Sequence, residues 1–340
     1  MSEGAEPSMQ SGTRIVEYSA AGKVLASPTR SQLDMNLRQL QYFLQIAELR
    51  SFTRASQVLH IAQPALSRQI RGLEEDIGAP LFNRTTHGIT LTEQGRALVD
   101  RGSALLQQFK RLRDEVATPG IPQGDLAVGM PPALREMLTR PLLSAYCRTH
   151  PNVNLHIHEG ISIDLASLVQ RNRLDCAVLV DLGDLPGFAK IPLAREQLFL
   201  VGPRGEKLDV RKTVPLKMAA GKPLILTNRL NNFRLAIEDA LAKQDLPPTI
   251  VCDSNSTSMI VDLVTDGLGF SILPSSAIDA ALRARKLAAA PIEELSINWA
   301  VVYPLNADLT AAGSAFTNLL YELAKEQIAS GAWPSAELLR

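Results

Sequence analysis

At 340 residues the chain is longer than one ordinary domain, so two or three are expected. Hydrophobic residues at 46% and charged residues at 21% fit a folded globular protein, and no apolar run approaches the roughly 18 residues of a membrane span. The 35 basic side chains are balanced by 35 acidic ones, which excludes a uniformly basic nucleic-acid coat and leaves only local basic surfaces to consider.

Residues 1–34 are rich in Ser, Gly, Ala and isolated charges, with no apolar core behind a basic start. They read as a disordered tail and not as a signal peptide. Periodic sequence begins after Met35, which makes Met35 a candidate translation start. The cysteines, Cys147, Cys176 and Cys252, are far apart and odd in number, so neither a disulfide framework nor a metal motif is expected. Cys176 and Cys252 stand in apolar strand-like runs and read as small core residues, and reduced thiols fit a cytoplasmic location.

The first predicted helix covers residues 37–49, where Leu40, Phe43, Leu44 and Ala47 recur at helical spacing. Ser51 or Thr53 can cap a second helix whose Ala55, Val58 and Leu59 face inward. Pro64 suits the first turn of a third helix, residues 64–77, with a buried stripe of Leu66, Ile70, Leu73 and Ile77. Gln63, Ser67 and Arg71 lie one turn apart on another face, with Pro64 and Arg68 beside them. An amide, a hydroxyl and two guanidiniums near a helix N-terminus are the groups that read base edges and grip phosphates, and the arrangement is a helix-turn-helix. Over residues 36–88 six arginines face four acids, three of which cluster at one helix end, so this segment is locally basic. Two strand-like pieces around Thr85-Thr86-His87-Gly88 read as a wing, whose Arg84 and hydroxyls suit phosphate contacts and whose His87 is a further DNA-binding candidate. The bland alternative is a set of ordinary solvated charges; the combination of polar face, wing arginine and helix spacing argues against it.

The run from Phe52 to Glu74, which includes Ala55, Gln63-Pro64-Ala65-Leu66-Ser67-Arg68 and Arg71, resembles the signature of LysR-type regulators. Leu81-Phe82-Asn83-Arg84 and Leu91-Thr92-Glu93-Gln94-Gly95 are similar to that family's wing and the start of its linker helix. The resemblance extends over about residues 36–328. It implies that Gln63, Pro64, Ser67, Arg68 and Arg71 face double-stranded DNA, that Arg84 touches its backbone, and that RNA polymerase is a candidate partner. The stretch 128–180 most resembles regulators of nitrogen assimilation.

Thr92 is a good cap for a helix running to about Val116. Leu98, Leu105 and Leu112 are spaced by seven, with Phe109 and Val116 at plus four, which makes a heptad seam for a second copy or, alternatively, for the helix's own domain. The resemblance adds pairing through this helix and assembly into tetramers. Two prolines and two glycines in residues 118–124 then form a linker.

Beyond it, apolar strand candidates at 126–130, 154–158, 176–180, 198–201, 224–227, 250–252, 270–273 and 299–303 alternate with helical stretches, which predicts parallel sheets covered on both faces in two α/β lobes. The expected fold class is thus an α+β two-part chain: an N-terminal winged helix-turn-helix (35–91), a long linker helix (92–118) and a C-terminal two-lobed α/β domain (124–330). The resemblance implies a periplasmic-binding-protein-like form for that domain, with lobe one at 124–198 and 299–330, lobe two at 199–298, and crossings near 197–203 and 298–304. Such folds bind ligands at the carboxyl ends of strands, which brings forward Pro132, Ser162, Thr227, Asn228, Asn232, Phe233, Asn255 and Ser256. The resemblance places Pro132, Ser162, Asn232 and Phe233 in an effector pocket, although a proline at 132 departs from the hydroxyl common there. Ser162 and Asn232 are equally readable as helix caps, and Phe233 as core.

His156 and His158 share a strand face, but no third ligand stands at a metal spacing, and Leu155 and Ile157 are expected to take the buried face. Gly267-Leu268-Gly269 lacks the rest of a dinucleotide fingerprint, and neither a nucleophile elbow nor a phosphate loop is present. No cofactor and no enzymatic activity are expected. The competing reading, an α/β enzyme or solute carrier with assembly helices, has no use for the polar face of the third helix.

Overall fold

The computed structural model describes residues 35–85, 88–181, 183 and 185–339. Helix α1 (Leu37–Leu49) begins in a reciprocal cap, where Asn36 accepts from Gln39 N–H and Gln39 returns a bond to Asn36 N–H. Helix α2 (Phe52–Val58) is capped by Ser51, and α3 (Gln63–Ile77) carries Pro64 in its first turn. Strands β1 (Phe82–Thr85) and β2 (Gly88–Leu91) pair antiparallel as the wing. Leu40, Phe43, Ile46, Leu66, Ile70 and Leu73 form the core, and Phe82 packs on Phe43 and Phe52 at ring distances of 5.1 and 5.8 Å. Two expected core positions are outside it. Val58 is 55% exposed and Ile77 38% exposed, because each is the last residue of its helix, where the chain is already leaving the core.

Helix α4 (Glu93–Ala117) starts at Thr92, whose hydroxyl accepts from Gly95 N–H at 2.9 Å and donates to Pro80 O at 2.8 Å. Gly95 is required by proximity, since a Cβ there would stand 2.1 Å from Leu81 O. The heptad stripe divides. Leu98 packs on the winged-helix core, whereas Leu105, Phe109, Leu112 and Val116 are 46%, 48%, 58% and 72% exposed.

The remaining chain builds two sheets around two shared strands. In the first, the order is β11 (Ala336–Leu338), β6 (Phe188–Pro203), β10 (Leu287–Pro304), β5 (Cys176–Asp181), β3 (Gly124–Met130) and β4 (Val153–Glu159). The far halves of β6 and β10 continue into the second lobe. There β9 (Ser271–Pro274) pairs with β6, and Phe270 just before it bridges to β7 (Pro223–Thr227), which pairs with β8 (Thr249–Ser254). Helices α5 (Arg140–Thr149), α6 (Ser162–Gln170), α7 (Asn232–Lys243), α8 (Thr257–Thr265), α9 (Ser275–Arg283) and α10 (Ala311–Ala329) cover the sheets.

Several expectations need correction here. The sheets are mixed, because β6 and β10 run antiparallel to each other over 16 and 18 residues, where the apolar runs had suggested only 198–201 and 299–303. Their pairing shifts register between Pro291 and Ser296, opposite Phe199 and Gln197, so the second crossing comes earlier than 298–304. The domain also continues past residue 330: Trp333 is buried and β11 pairs with β6. Cys252 is exposed, since β8 is an edge strand with one covered face. Ile157 is exposed on the other edge strand, β4, whose face is only lightly covered.

Candidate DNA-reading face and effector cleft

On α3, Gln63, Pro64, Arg68 and Arg71 are exposed and Ser67 is half-buried, opposite the stripe that anchors the helix. Ala62 offers no side-chain cap, Pro64 has no N–H and Ala65 N–H bonds to Ala62 O at 2.9 Å, so Gln63 supplies the one first-turn N–H without such a bond, and no acid stands in that turn. Glu74, which sequence reasoning did not single out, accepts from Leu81 N–H at 2.8 Å and Phe82 N–H at 3.4 Å and so ties the wing to α3. Arg84 lies on β1 opposite Ile89. His87 falls outside the described residues.

In the two-lobed part, Ser162 and Asn232 converge on one residue. Ser162, in the first turn of α6, accepts from Val180 N–H at 3.1 Å. Asn232, in the first turn of α7, reaches from the other lobe and donates to Val180 O at 2.9 Å. Neither is the helix cap. Asn231 holds that role for α7 by accepting from Phe233 N–H, and Ile161 precedes α6 without a side-chain cap. Phe233 is buried edge-to-face on Trp299 at 5.7 Å. Thr227 Oγ1 and Asn228 Oδ1 are buried without a hydrogen-bond partner among the described residues. Arg234, also not anticipated, is buried between Thr227 O at 3.2 Å and Glu238 at 2.7 Å. Pro132 opens elsewhere, onto an interlobe groove of about 450 Å³ bordered by Arg135, Glu159, Ser256 and Ser276. Arg135 and Glu159 pair through two contacts at its rim.

Two further carboxylates are buried in this half. Glu196, on β6 at the crossing, accepts from Ser275 Oγ at 2.8 Å, Ser276 N–H at 2.7 Å, Ser276 Oγ at 3.0 Å and Trp299 Nε1 at 2.7 Å. The Trp333 indole N–H favours its charge while falling short of a formed hydrogen bond. Burial nevertheless pushes the carboxyl above its ordinary range. Asp175, just before β5, accepts from Ala127 N–H at 2.7 Å and pairs with Arg111 of α4 at 2.8 Å. Its carboxyl is also raised by burial, against the opposing pull of Arg111. His156 lies 3.7 Å from Asp125, and no cluster of three metal-ligating side chains occurs among the described residues. No helix among them is long and apolar enough to cross a membrane.

Comparison with known proteins bears on both halves. Residues 37–96 match the bacterial regulatory helix-turn-helix protein family, lysR family, and residues 119–325 match the LysR substrate binding domain. The nitrogen assimilation regulatory protein nac of Escherichia coli (strain K12) is 29% identical over 299 residues, covering 84% of this chain and 94% of that protein. The nac protein of Klebsiella aerogenes is 32% identical over 248 residues, covering 72% and 79%. Full-length CbnR complexed with its target DNA shares the fold at a TM-score of 0.64 and 22% identity, over 86% of this chain and 99% of that one. HinK, a LysR family regulator from Pseudomonas aeruginosa, shares it at 0.52 and 24%, over 84% and 98%. A helix-turn-helix with an open polar face, joined by a long helix to a two-lobed domain and matched along both halves, makes this chain a member of the LysR family of DNA-binding transcription regulators, with an effector-binding domain at its C-terminal side.

Proposed function

We propose that the protein reads DNA as a dimer of winged helices and that a small molecule held between its two lobes controls how it does so. The observation supporting this most is the face of α3, where Gln63, Arg68 and Arg71 stand free of the core in a helix whose first turn holds no acid. In this reading α3 enters the major groove, Gln63 and Arg68 meet base edges, and Pro64 and Ser67 fix its approach. Arg71, with Arg84 and His87 of the wing, reaches the phosphates. The exposed apolar stripe of α4 buries against a second copy. The open edges of β4 and β8, with Ile157 and Val251 exposed, supply a second contact by which dimers become tetramers. The effector lies among Ser162, Thr227, Asn228, Asn232 and Phe233, while Pro132 borders the separate groove beside Arg135 and Glu159. The protein works on DNA in the cytoplasm, where RNA polymerase is its partner at the promoter.

Gel retardation of the full chain with total genomic fragments at two salt concentrations tests the first half. Retention of a few fragments that survives the higher salt is expected, since only base contacts discriminate once phosphate attraction is screened. Equal retention of all fragments removes sequence reading. A thermal-shift screen of the full chain against metabolites tests the second, because a ligand that binds the folded state raises its apparent stability.

A further inference from the structure

We propose that β5 relays the state of the cleft to the linker helix, held at one end by Asn232 of the far lobe and at the other by Arg111 of α4. At the upper end, β3 pairs with β5 only at Cys176 and Ala177, so β5 overhangs its neighbour and the main chain of Val180 lacks a strand partner on that side. Ser162 takes up its N–H and Asn232 its carbonyl. The second of these bonds comes from the other lobe, so any separation of the lobes at this point draws Asn232 away from β5. At the lower end, Asp175 precedes the strand. Its carboxylate is shared between Ala127 N–H and the Arg111 guanidinium, whose side chains leave 7% and 19% of Asp175 and Arg111 exposed.

Between the two ends lies a segment built to move as one piece. Cys176 to Val180 are all buried, with β3 on one side and β10 on the other. The packing admits no slack: a Cβ on Gly129 of β3 would stand 2.8 Å from Ala177 and 2.9 Å from Leu165 and Leu174. Val180 stands five residue steps along the chain from Asp175, about 17 Å of extended chain. Arg111 sits on a 25-residue helix whose other end is seated in the winged-helix core through Leu98. An ion pair this buried resists separation, because pulling one partner away strands a charge. Arg111 and Asp175 are therefore positioning residues: they set the angle at which α4 leaves the effector domain, and β5 ties that angle to the cleft.

The proposal rests on the cleft reading above for what moves Asn232, but its test needs no effector. The probe is a duplex selected by the full-length wild-type protein from random sequences, and the readouts are footprint length and affinity. N232A releases the upper end. R111Q/D175N releases the lower end without leaving either charge alone, and D175N, which keeps the bond from Ala127, serves if the double variant unfolds. Each release is expected to change affinity by about 5- to 150-fold, the usual range for coupled sites, and to move the footprint edge. Adding N232A to R111Q/D175N should then change nothing more. A purely structural role predicts lower thermal stability with an unchanged footprint. An unchanged footprint in either release variant, or an N232A effect equal in both backgrounds, overturns the relay. Failure of the metabolite screen on wild-type protein indicts the cleft reading alone.

Discussion

Glu196 gathers four hydrogen-bond donors and still has its carboxyl raised, because burial outweighs them. The sign of its effect on stability follows. Between its ordinary value of 4.5 and its higher folded value, the native state holds a proton that the unfolded chain has lost. Stability therefore falls as pH rises through that window, with Asp175 adding to the same slope. Denaturant titrations at a series of pH values should show this decline, and E196Q should flatten it; an E196Q profile parallel to wild type would mean that Glu196 does not titrate there. At the DNA face, Arg68→Ala should weaken binding to a selected operator by about 1–3 kcal/mol and relax the sequence preference. Arg84→Ala should weaken all sequences alike and flatten the salt dependence. Isotherms at two salt concentrations check both, and unchanged operator affinity in Arg68→Ala moves the reading face off α3. The surface residues of α3 are legible in sequence because helical periodicity separates them from Leu66, Ile70 and Leu73. Glu196 is not legible: its donors come from residues 275, 276 and 299, and nothing local marks a charge as buried. Nor is the junction at Val180, since Asn232 bonds a main-chain carbonyl 52 residues away and main-chain groups carry no signature.

Elements follow the same division. Helix α1 is legible at 37–49 because the apolar spacing marks its body, and the structure adds the reciprocal cap of Asn36 and Gln39 at its start. Helix α4 is legible in its cap and stripe, but Leu98 belongs to the winged-helix core and only the four exposed positions remain for a partner. The lengths of β6 and β10 are hidden. Arg195 and Glu196 interrupt the apolar run of one strand, and Glu293 and Glu294 that of the other, at the crossing where a strand passes between lobes and changes which face is covered. The exposed stripe makes a direct prediction. Leu105→Asp with Leu112→Asp places two charges in the seam of paired α4 helices, where they lose hydration without gaining partners. Light scattering should show smaller assemblies than wild type, with DNA affinity collapsing as two winged helices cease to act together. A double variant that keeps its assembly size puts the pairing surface elsewhere. Neither residue contacts the winged-helix core, so circular dichroism should be unchanged.

At the scale of the whole molecule, the distribution of apolar contacts sets what unfolds together. The winged helix has its own core, from Leu40 to Phe82 with Leu98 of α4 against it. In the C-terminal half the largest cluster runs through both lobes, with Leu126, Val128 and Leu142 on one side, Leu224, Phe233 and Ile237 on the other and Trp299 between them, and smaller clusters around Ile260 and Leu165 flank it. Trp333 and the partly buried Ala336 and Leu338 belong to the same cluster, although they lie beyond the family match that ends at residue 325. The terminal strand closes the sheet beside the crossing, where Ala336 stands opposite Glu196 and Gln197 N–H donates to Ser335 O. The winged helix and the two-lobed half, joined by one helix, should give two unfolding transitions, and the lobes should melt as one unit because the largest cluster spans both. Trp333→Ala removes a fully buried indole from the larger core, which costs roughly 3–5 kcal/mol. It should lower the larger calorimetric transition and leave the smaller one, assigned to the winged helix, in place. If both transitions fall together, α4 couples the halves more tightly than their separate cores imply. If neither moves, the terminal strand is not part of the domain that it covers.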